Sequence, residues 1–386
     1  MPNNISATVD RPERSSYFPD LDGWRFAAFL AVFYHHSFQT DQEHIKQNLG
    51  YRILKSTTLN GELGVDFFFV LSGFLIIYLL ISERFATGRI HARNFYIRRI
   101  LRIFPLYYFC LFFGFVLFPI AKYMLGVAGD ETAHFGYFVV FLGNFDMILN
   151  GTTPDSAVLG VLWSIAIEEQ FYLTIPFLLI LLPTRYYKWL FAGVLALSWI
   201  FRWLYIDDYF VIKFHTLSYV GNLAIGGMIA YYSATDARFT AFFERLNPKL
   251  IKIGYLVLGI LLIFREHLFS HPLLRVFEAS AFAIVFAFVI LEQNFSKGSF
   301  FKMRNNRIFS RLGTYTYGLY CLHLIAFIIL LQITVRLGFG KELWEVVLIE
   351  TPIALLLTIA IAYLSYRFYE RPFMLLKKKF ASITGT

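Results

Sequence analysis

Long apolar runs, repeated along nearly the whole chain, constrain what it can fold into more than any single motif does. They lie at about residues 21–38, 63–82, 101–121, 159–182, 187–204, 214–232, 250–264, 274–291, 312–334 and 344–366. A helix crosses the roughly 30 Å hydrocarbon core of a bilayer with about 20 apolar residues. Composition agrees: of 386 residues 58% are hydrophobic and only 16% charged, with mean hydropathy +0.58, too apolar for a soluble globular protein of this length. The expected fold is therefore all-α, a polytopic membrane helical bundle of about ten transmembrane helices. The first twenty residues are polar and lack a cleavable signal pattern, so the first apolar helix is expected to stay in the protein. Cys110 and Cys321 both lie in apolar runs, which suggests neither a disulfide framework nor a cysteine metal site, and no metal centre is expected. A net charge of +9 does not point to nucleic acid, because the basic residues sit in short loops beside apolar runs, where they set orientation.

Charge placement decides the topology. With an inside N-terminus and ten crossings, most of the 35 basic residues fall on the cytoplasmic face, including those of 84–102, 238–252 and 293–311. An eleventh run, Phe135 to Leu149, is shorter, is interrupted by Gly143-Asn144 and holds Asp146. If it crossed, the basic 293–311 loop would face outward, against the positive-inside tendency. A non-spanning segment is thus expected around 135–149, within an outer-face element at about 122–158 that covers the site. Both termini are expected to be cytoplasmic: a polar tail at 1–19, the membrane domain at 20–375, and a basic tail at 376–386.

Ionisable groups inside apolar runs are costly in lipid and usually functional. The first run carries Asp22-Gly23-Trp24-Arg25 and His35-His36. Arg25 and His36 lie about 16 Å apart along a helix and within roughly 20° of one face, which makes this helix the expected centre of the active site. The second run places Asp66 near its start and Ser72-Gly73 further in. Asp66 is expected to cap the helix or to orient a neighbour such as Arg25 or a histidine. Before the third run, Arg98, Arg99 and Arg102 crowd one loop. Arg99 and Arg102, three apart, share a helix face and can grip one multiply charged anion, so a phosphate-rich cytoplasmic cofactor is a suitable occupant. The fourth run opens Trp163-Ser164 and continues to Glu168-Glu169; Ser164 and Glu168 face the same way and Glu169 points about 100° around. His323 ends a tyrosine-rich stretch in the ninth run.

In this order, over about residues 17 to 375, these motifs resemble the acyltransferase-3 superfamily of integral membrane O-acyltransferases. The matching stretches are Asp22-Gly23-Trp24-Arg25 with His36, Gly64 to Ile76, Arg99 to Pro105, Trp163-Ser164 with Glu168 to Tyr172, Tyr317 to His323, and Glu370-Arg371-Pro372. The resemblance implies transfer of an acyl group, usually acetyl, from cytoplasmic acyl-CoA to a carbohydrate hydroxyl, often on a cell-envelope glycan or glycolipid, in the cell (inner) membrane. It implies His36 as the catalytic histidine, Arg25 as its partner, and Arg99 and Arg102, with Arg98 beside them, as donor-binding cations. Trp24 replaces the usual aliphatic residue, and His35 precedes His36. Some family members carry an outer esterase-like domain; this chain is expected to complete transfer in the membrane domain or with a separate protein.

A neutral His36 can serve as general base on the acceptor hydroxyl or as a transient acyl carrier, with Glu168, Asp66 or Arg25 fixing its tautomer. Trp163, Ser164, Glu169, Asp66, Ser72, His35 and His323 are the expected substrate-site residues. The expected partners are acyl-CoA as donor substrate, a carbohydrate or glycolipid acceptor, and membrane lipid, with homo-oligomers allowed and no tightly bound cofactor. The competing class is a transporter or flippase for a lipid-linked or acylated molecule, for which inverted repeats and broken helices in corresponding places are expected; neither is evident.

Overall fold

The computed structural model describes residues 18–40 and 42–380. Most of the expected N-terminal tail and the end of the C-terminal tail lie outside the described residues. Every long element is a helix, and no strand occurs among the described residues. The principal helices are α1 (Pro19–His36), α2 (Leu63–Thr87), α3 (Ala92–Phe112), α4 (Trp163–Leu181), α5 (Tyr187–Leu204), α6 (Thr216–Thr235), α7 (Pro248–Ile263), α8 (Pro272–Phe295), α9 (Thr316–Leu337), α10 (Thr351–Ser365) and α11 (Arg371–Lys377). Their ends follow local chemistry. Asn247 caps α7, its side chain accepting from the Lys249 N–H, with Pro248 in the first turn. Such a residue satisfies one of the orphan donors that every helix start exposes. α2 ends at Gly88 with φ of 78°, a left-handed stop that glycine takes without steric cost.

Contacts between loops define two ends of the bundle. At one end, the Arg304 N–H donates to Asp20 Oδ1 (2.9 Å) and Arg98 Nη1 to the Phe380 carbonyl (2.7 Å). At the other, Asn60 Nδ2 donates to the Leu262 carbonyl (2.8 Å), and the His44 ring meets the Lys341 carbonyl. The first end gathers the basic segments and is called inner here; the second is called outer.

Six helical stretches among the described residues are long and apolar enough to cross a membrane, or seven if Ala237–Glu244 and α7, bent by 91°, form one span. The expectation was about ten. The difference falls on α1, α5 and α6. α1 carries Asp20, Asp22 and Arg25, α5 carries Lys188 and Arg202, and α6 carries Asn222 among small and polar residues. α1 and α6 are half or more buried by neighbouring helices, whereas α5 lies at the periphery, with Trp189, Ile200, Trp203 and Leu204 exposed. α6 lies directly on α2: a Cβ on Gly73 would collide with the Leu223 carbonyl, and one on Gly226 with the Val70 carbonyl. Such backbone approach is the packing mode of helices in lipid.

The segment around 135–149 does not form one helix. It comprises Phe135–Val139 and Gly143–Asn150, separated by Phe141 with φ of 58°, and neither piece is long enough to span. It is tied to the outer end, where Asn144 Nδ2 donates to the Phe214 carbonyl (3.0 Å) and Gln170 Nε2 to Asn144 Oδ1 (2.9 Å).

Candidate active site

Two sets of polar groups, entered from opposite ends, converge inside the bundle. The inner chamber, about 440 Å³, is lined by Asp22 and Arg25 of α1, Ser72 of α2, Arg99 and Arg102 of α3, Ser164, Glu168 and Tyr172 of α4, and Lys377 of α11. Arg99 and Arg102 share one face because they stand one helical turn apart. The Arg99 guanidinium lies over the Tyr172 ring at 5.2 Å and near Phe95 at 5.7 Å, which fixes its plane. Neither Arg99 nor Arg102 is ion-paired among the described residues, whereas Arg25 pairs with Asp22. Glu168 is held at both oxygens: Ser72 Oγ donates to Oε1 (2.8 Å) and Tyr172 OH to Oε2 (3.0 Å).

The outer chamber, about 780 Å³, is lined by His35 and His36 at the end of α1, by Asp66, Trp163 and Tyr219, and by the charged set Glu62, Arg202, Arg265 and Glu278. Arg265 bridges Glu62 (2.9 Å) and Glu278 (2.5 Å). A second outer cavity of about 560 Å³, lined mostly by apolar groups, also reaches His36 and Trp163. Val65 and Tyr320 line both the inner and the larger outer chamber, and the Tyr320 hydroxyl hydrogen-bonds Ser164 Oγ at 2.7 Å. Val65 and Tyr320 thus stand between the two chambers, with Ser164 bonded to Tyr320 from the inner side.

His36 has a buried partner. His323 Nδ1 lies 2.7 Å from the Tyr320 carbonyl, and His323 Nε2 lies 3.2 Å from His36 Nδ1. A carbonyl only accepts, so His323 Nδ1 carries its proton; in the neutral ring Nε2 is then an acceptor. His36 Nδ1–H must donate to it, which leaves the His36 Nε2 lone pair free. Phe29 and Phe327 pack on the His323 ring, and His323 is fully buried. His35 takes a different contact, its Nδ1 reaching the Thr58 carbonyl at 3.3 Å.

The structure places the expected catalytic residues His36, Arg25 and Glu168 in different chambers. Arg25 and Glu168 line the inner chamber and His36 the outer ones. A shared helix face does not bring together residues about 16 Å apart along the axis. His36 is held by His323 and by the Val32 carbonyl one turn back; His323, which the sequence placed at the substrate site, stands behind His36 and lines none of these cavities. Asp66 lines the outer chamber and accepts from Asn222 Nδ2 of α6 (2.6 Å), so it neither caps α2 nor touches His36. Ser72 and Ser164 fall in the inner chamber, Trp163 and His35 in the outer. Arg98 shares a face with Arg102, four residues on, but its guanidinium is engaged by the Phe380 carbonyl. Glu169 is likewise off the chamber, and its Oε1 is buried without a hydrogen-bond partner. Sequence reasoning missed Tyr320, Tyr172, Asn222, the Arg265 cluster and Lys377. Tyr320 was the most accessible of these, since it precedes His323 by three residues and so shares its face.

Fold and site together define the class: a polytopic helical membrane protein in which a cationic inner chamber and a histidine-bearing outer chamber share one wall. Residues 18–367 match the family model of the acyltransferase domain (acyltransferase-3), and the chain belongs to that family. Among curated proteins it is similar to the peptidoglycan O-acetyltransferase OatA of Listeria monocytogenes serovar 1/2a, 29% identical over 92% of this chain and 56% of that protein. It is also similar to the O-acetyltransferase OatA of Staphylococcus aureus strain NCTC 8325, 27% identical over 92% of this chain and 57% of that protein. The chain thus spans little more than half the length of these relatives. No solved structure matches it.

Proposed function

We propose that this protein is a membrane O-acetyltransferase that accepts acyl-CoA, with acetyl as the acyl group, at the inner chamber and delivers the acyl group to a hydroxyl of a cell-envelope glycan in the outer chamber. The observation that carries this reading is the meeting of the two chambers at Tyr320 and Val65, with unpaired arginines on one side and His36 on the other. Arg99 and Arg102 hold the nucleotide phosphates as planar forks suited to such anions. The pantetheine arm passes the Tyr320–Ser164 wall to bring the thioester to His36. Trp163 and Tyr219 offer ring faces to a sugar, and Asp66 with the Glu62–Arg265–Glu278 cluster offers hydroxyl partners.

In the transfer step, His36 Nε2 takes the proton of the acceptor hydroxyl as its oxygen bonds to the thioester carbonyl carbon. The carbon–sulfur bond then breaks, and the departing thiolate takes the proton from His36. His323 holds His36 in the tautomer that leaves Nε2 unprotonated. The two names reported for relatives, both O-acetyltransferases and one acting on peptidoglycan, support the choice of acetyl and of an envelope acceptor. The inner cell membrane, where acyl-CoA is available on one side and envelope glycan on the other, is the location this chemistry requires. The test is acetyl transfer by the purified protein: His36→Ala loses turnover by about 10²–10⁴-fold yet keeps CoA binding, while Arg99→Ala/Arg102→Ala loses CoA binding. A folded His36→Ala variant with full turnover removes His36 from the mechanism. Movement of an acylated molecule across the bilayer without acyl-CoA consumption favours the transporter class instead.

A further inference from the structure

Resting on the donor site just described, we infer that Lys377 is a third phosphate-binding cation beside Arg99 and Arg102, so that the C-terminal helix α11 builds part of the donor site. The family match ends at residue 367, before α11 begins, and the sequence reading placed residues 376–386 in a tail. Lys377 instead lines the inner chamber together with Arg99 and Arg102, within electrostatic reach of Arg102, Arg99, Arg98 and Arg25.

Charge balance makes the argument. Arg25 is paired with Asp22; Glu168, which accepts from Ser72 and Tyr172, acts on Arg99 and Arg102 and Glu370 on Arg102, but neither reaches them at ion-pair distance, and the neighbours acting on Lys377 are all cations. Arg99, Arg102 and Lys377 are left without an ion pair among the described residues. With cations as its only acting charges, Lys377 gains from an anion that reaches it together with Arg99 and Arg102. Two arginines on one helix turn suit a single phosphate group. A third cation from a separate element lets a second one be gripped, which fits a ligand with several phosphates such as the nucleotide end of CoA. The helix that carries Lys377 is anchored, with Tyr369 OH donating to the Pro105 carbonyl (3.0 Å) and Arg98 Nη1 to the Phe380 carbonyl (2.7 Å). Both contacts fasten the C-terminal segment to α3, the helix that bears Arg99 and Arg102.

The test is CoA binding to the full chain in detergent, measured by calorimetry. Lys377→Gln raises the Kd for CoA roughly tenfold, the effect of losing one charged hydrogen-bonding partner. Lys379→Gln, which removes an exposed lysine nearby, binds as the wild type. In the unaltered protein, CoA shields Lys377 but not Lys379 from an amine-acylating reagent read by peptide mass spectrometry, so the inference stays testable even where Lys377→Gln does not fold. Wild-type affinity in folded Lys377→Gln, equal weakening by Lys379→Gln, or equal labelling of Lys377 with and without CoA overturns it. If Arg99→Ala/Arg102→Ala loses CoA while Lys377→Gln keeps it, only the Lys377 assignment falls. If that double variant binds CoA normally, the donor site itself is misplaced and both readings fall together.

Discussion

The His36–His323 pair concentrates the residue-scale account. A free imidazole at the end of α1 could present either nitrogen; the Tyr320 carbonyl fixes His323, and His323 in turn fixes His36. His323→Phe keeps an aromatic ring between Phe29 and Phe327 but removes the acceptor. It is expected to lower turnover by about 10- to 100-fold with the donor KM unchanged, measured in steady-state transfer assays. Asp66 offers a second case. Asp66→Ala leaves the buried Asn222 amide unpaired, costing about 1–3 kcal/mol, which is read as a lower melting temperature in detergent. At this scale the sequence picked out polar residues that the structure places along the chambers, but not how they are divided between them. His36, Asp66, Arg99, Arg102, Ser164 and Glu168 were identifiable because ionisable or hydroxyl groups stood in apolar runs. Their allotment to two chambers was not, because Val65 of α2 and Tyr320 of α9, which separate the chambers, are ordinary membrane residues in sequence.

Helix contacts explain which elements could be read in advance. α2, α3, α4, α8, α9 and the stretch that contains α10 are apolar enough to declare themselves as spans, and the break at 135–149 announced itself through Gly143-Asn144 and Asp146. α1, α5 and α6 do not meet the same measure: α1 and α6 are buried by other helices and need not be apolar all round, and the peripheral α5 carries Lys188 and Arg202. The α2–α6 contact shows what replaces apolarity: glycine at 73 and 226 brings two backbones together. Gly226→Leu is expected to force α6 off α2, an overpacking cost of about 1–3 kcal/mol or more. The measurement is yield and thermal stability of the purified variant, with Gly259→Leu, where the added side chain meets open space, as the neutral control.

For the whole molecule, the basic loops and the C-terminal helix gather at one end, and the His36 chambers open toward the other. The positive-inside tendency assigns the inner end to the cytoplasm. A membrane-impermeant thiol reagent added outside spheroplasts is therefore expected to label Ser56→Cys, which lines the outer chamber, and to leave Lys379→Cys unlabelled until the membrane is opened; the reverse pattern inverts the topology. The central claim is that an acyl group passes from a donor held at the inner chamber to an acceptor at His36. It is tested most directly in sided proteoliposomes, with labelled acetyl-CoA confined to the inner face and a soluble peptidoglycan fragment to the outer. The wild type is expected to put label on the fragment, and His36→Ala to bind CoA normally and transfer none. Undiminished transfer by folded His36→Ala, or transfer only when donor and acceptor share one side, contradicts the account.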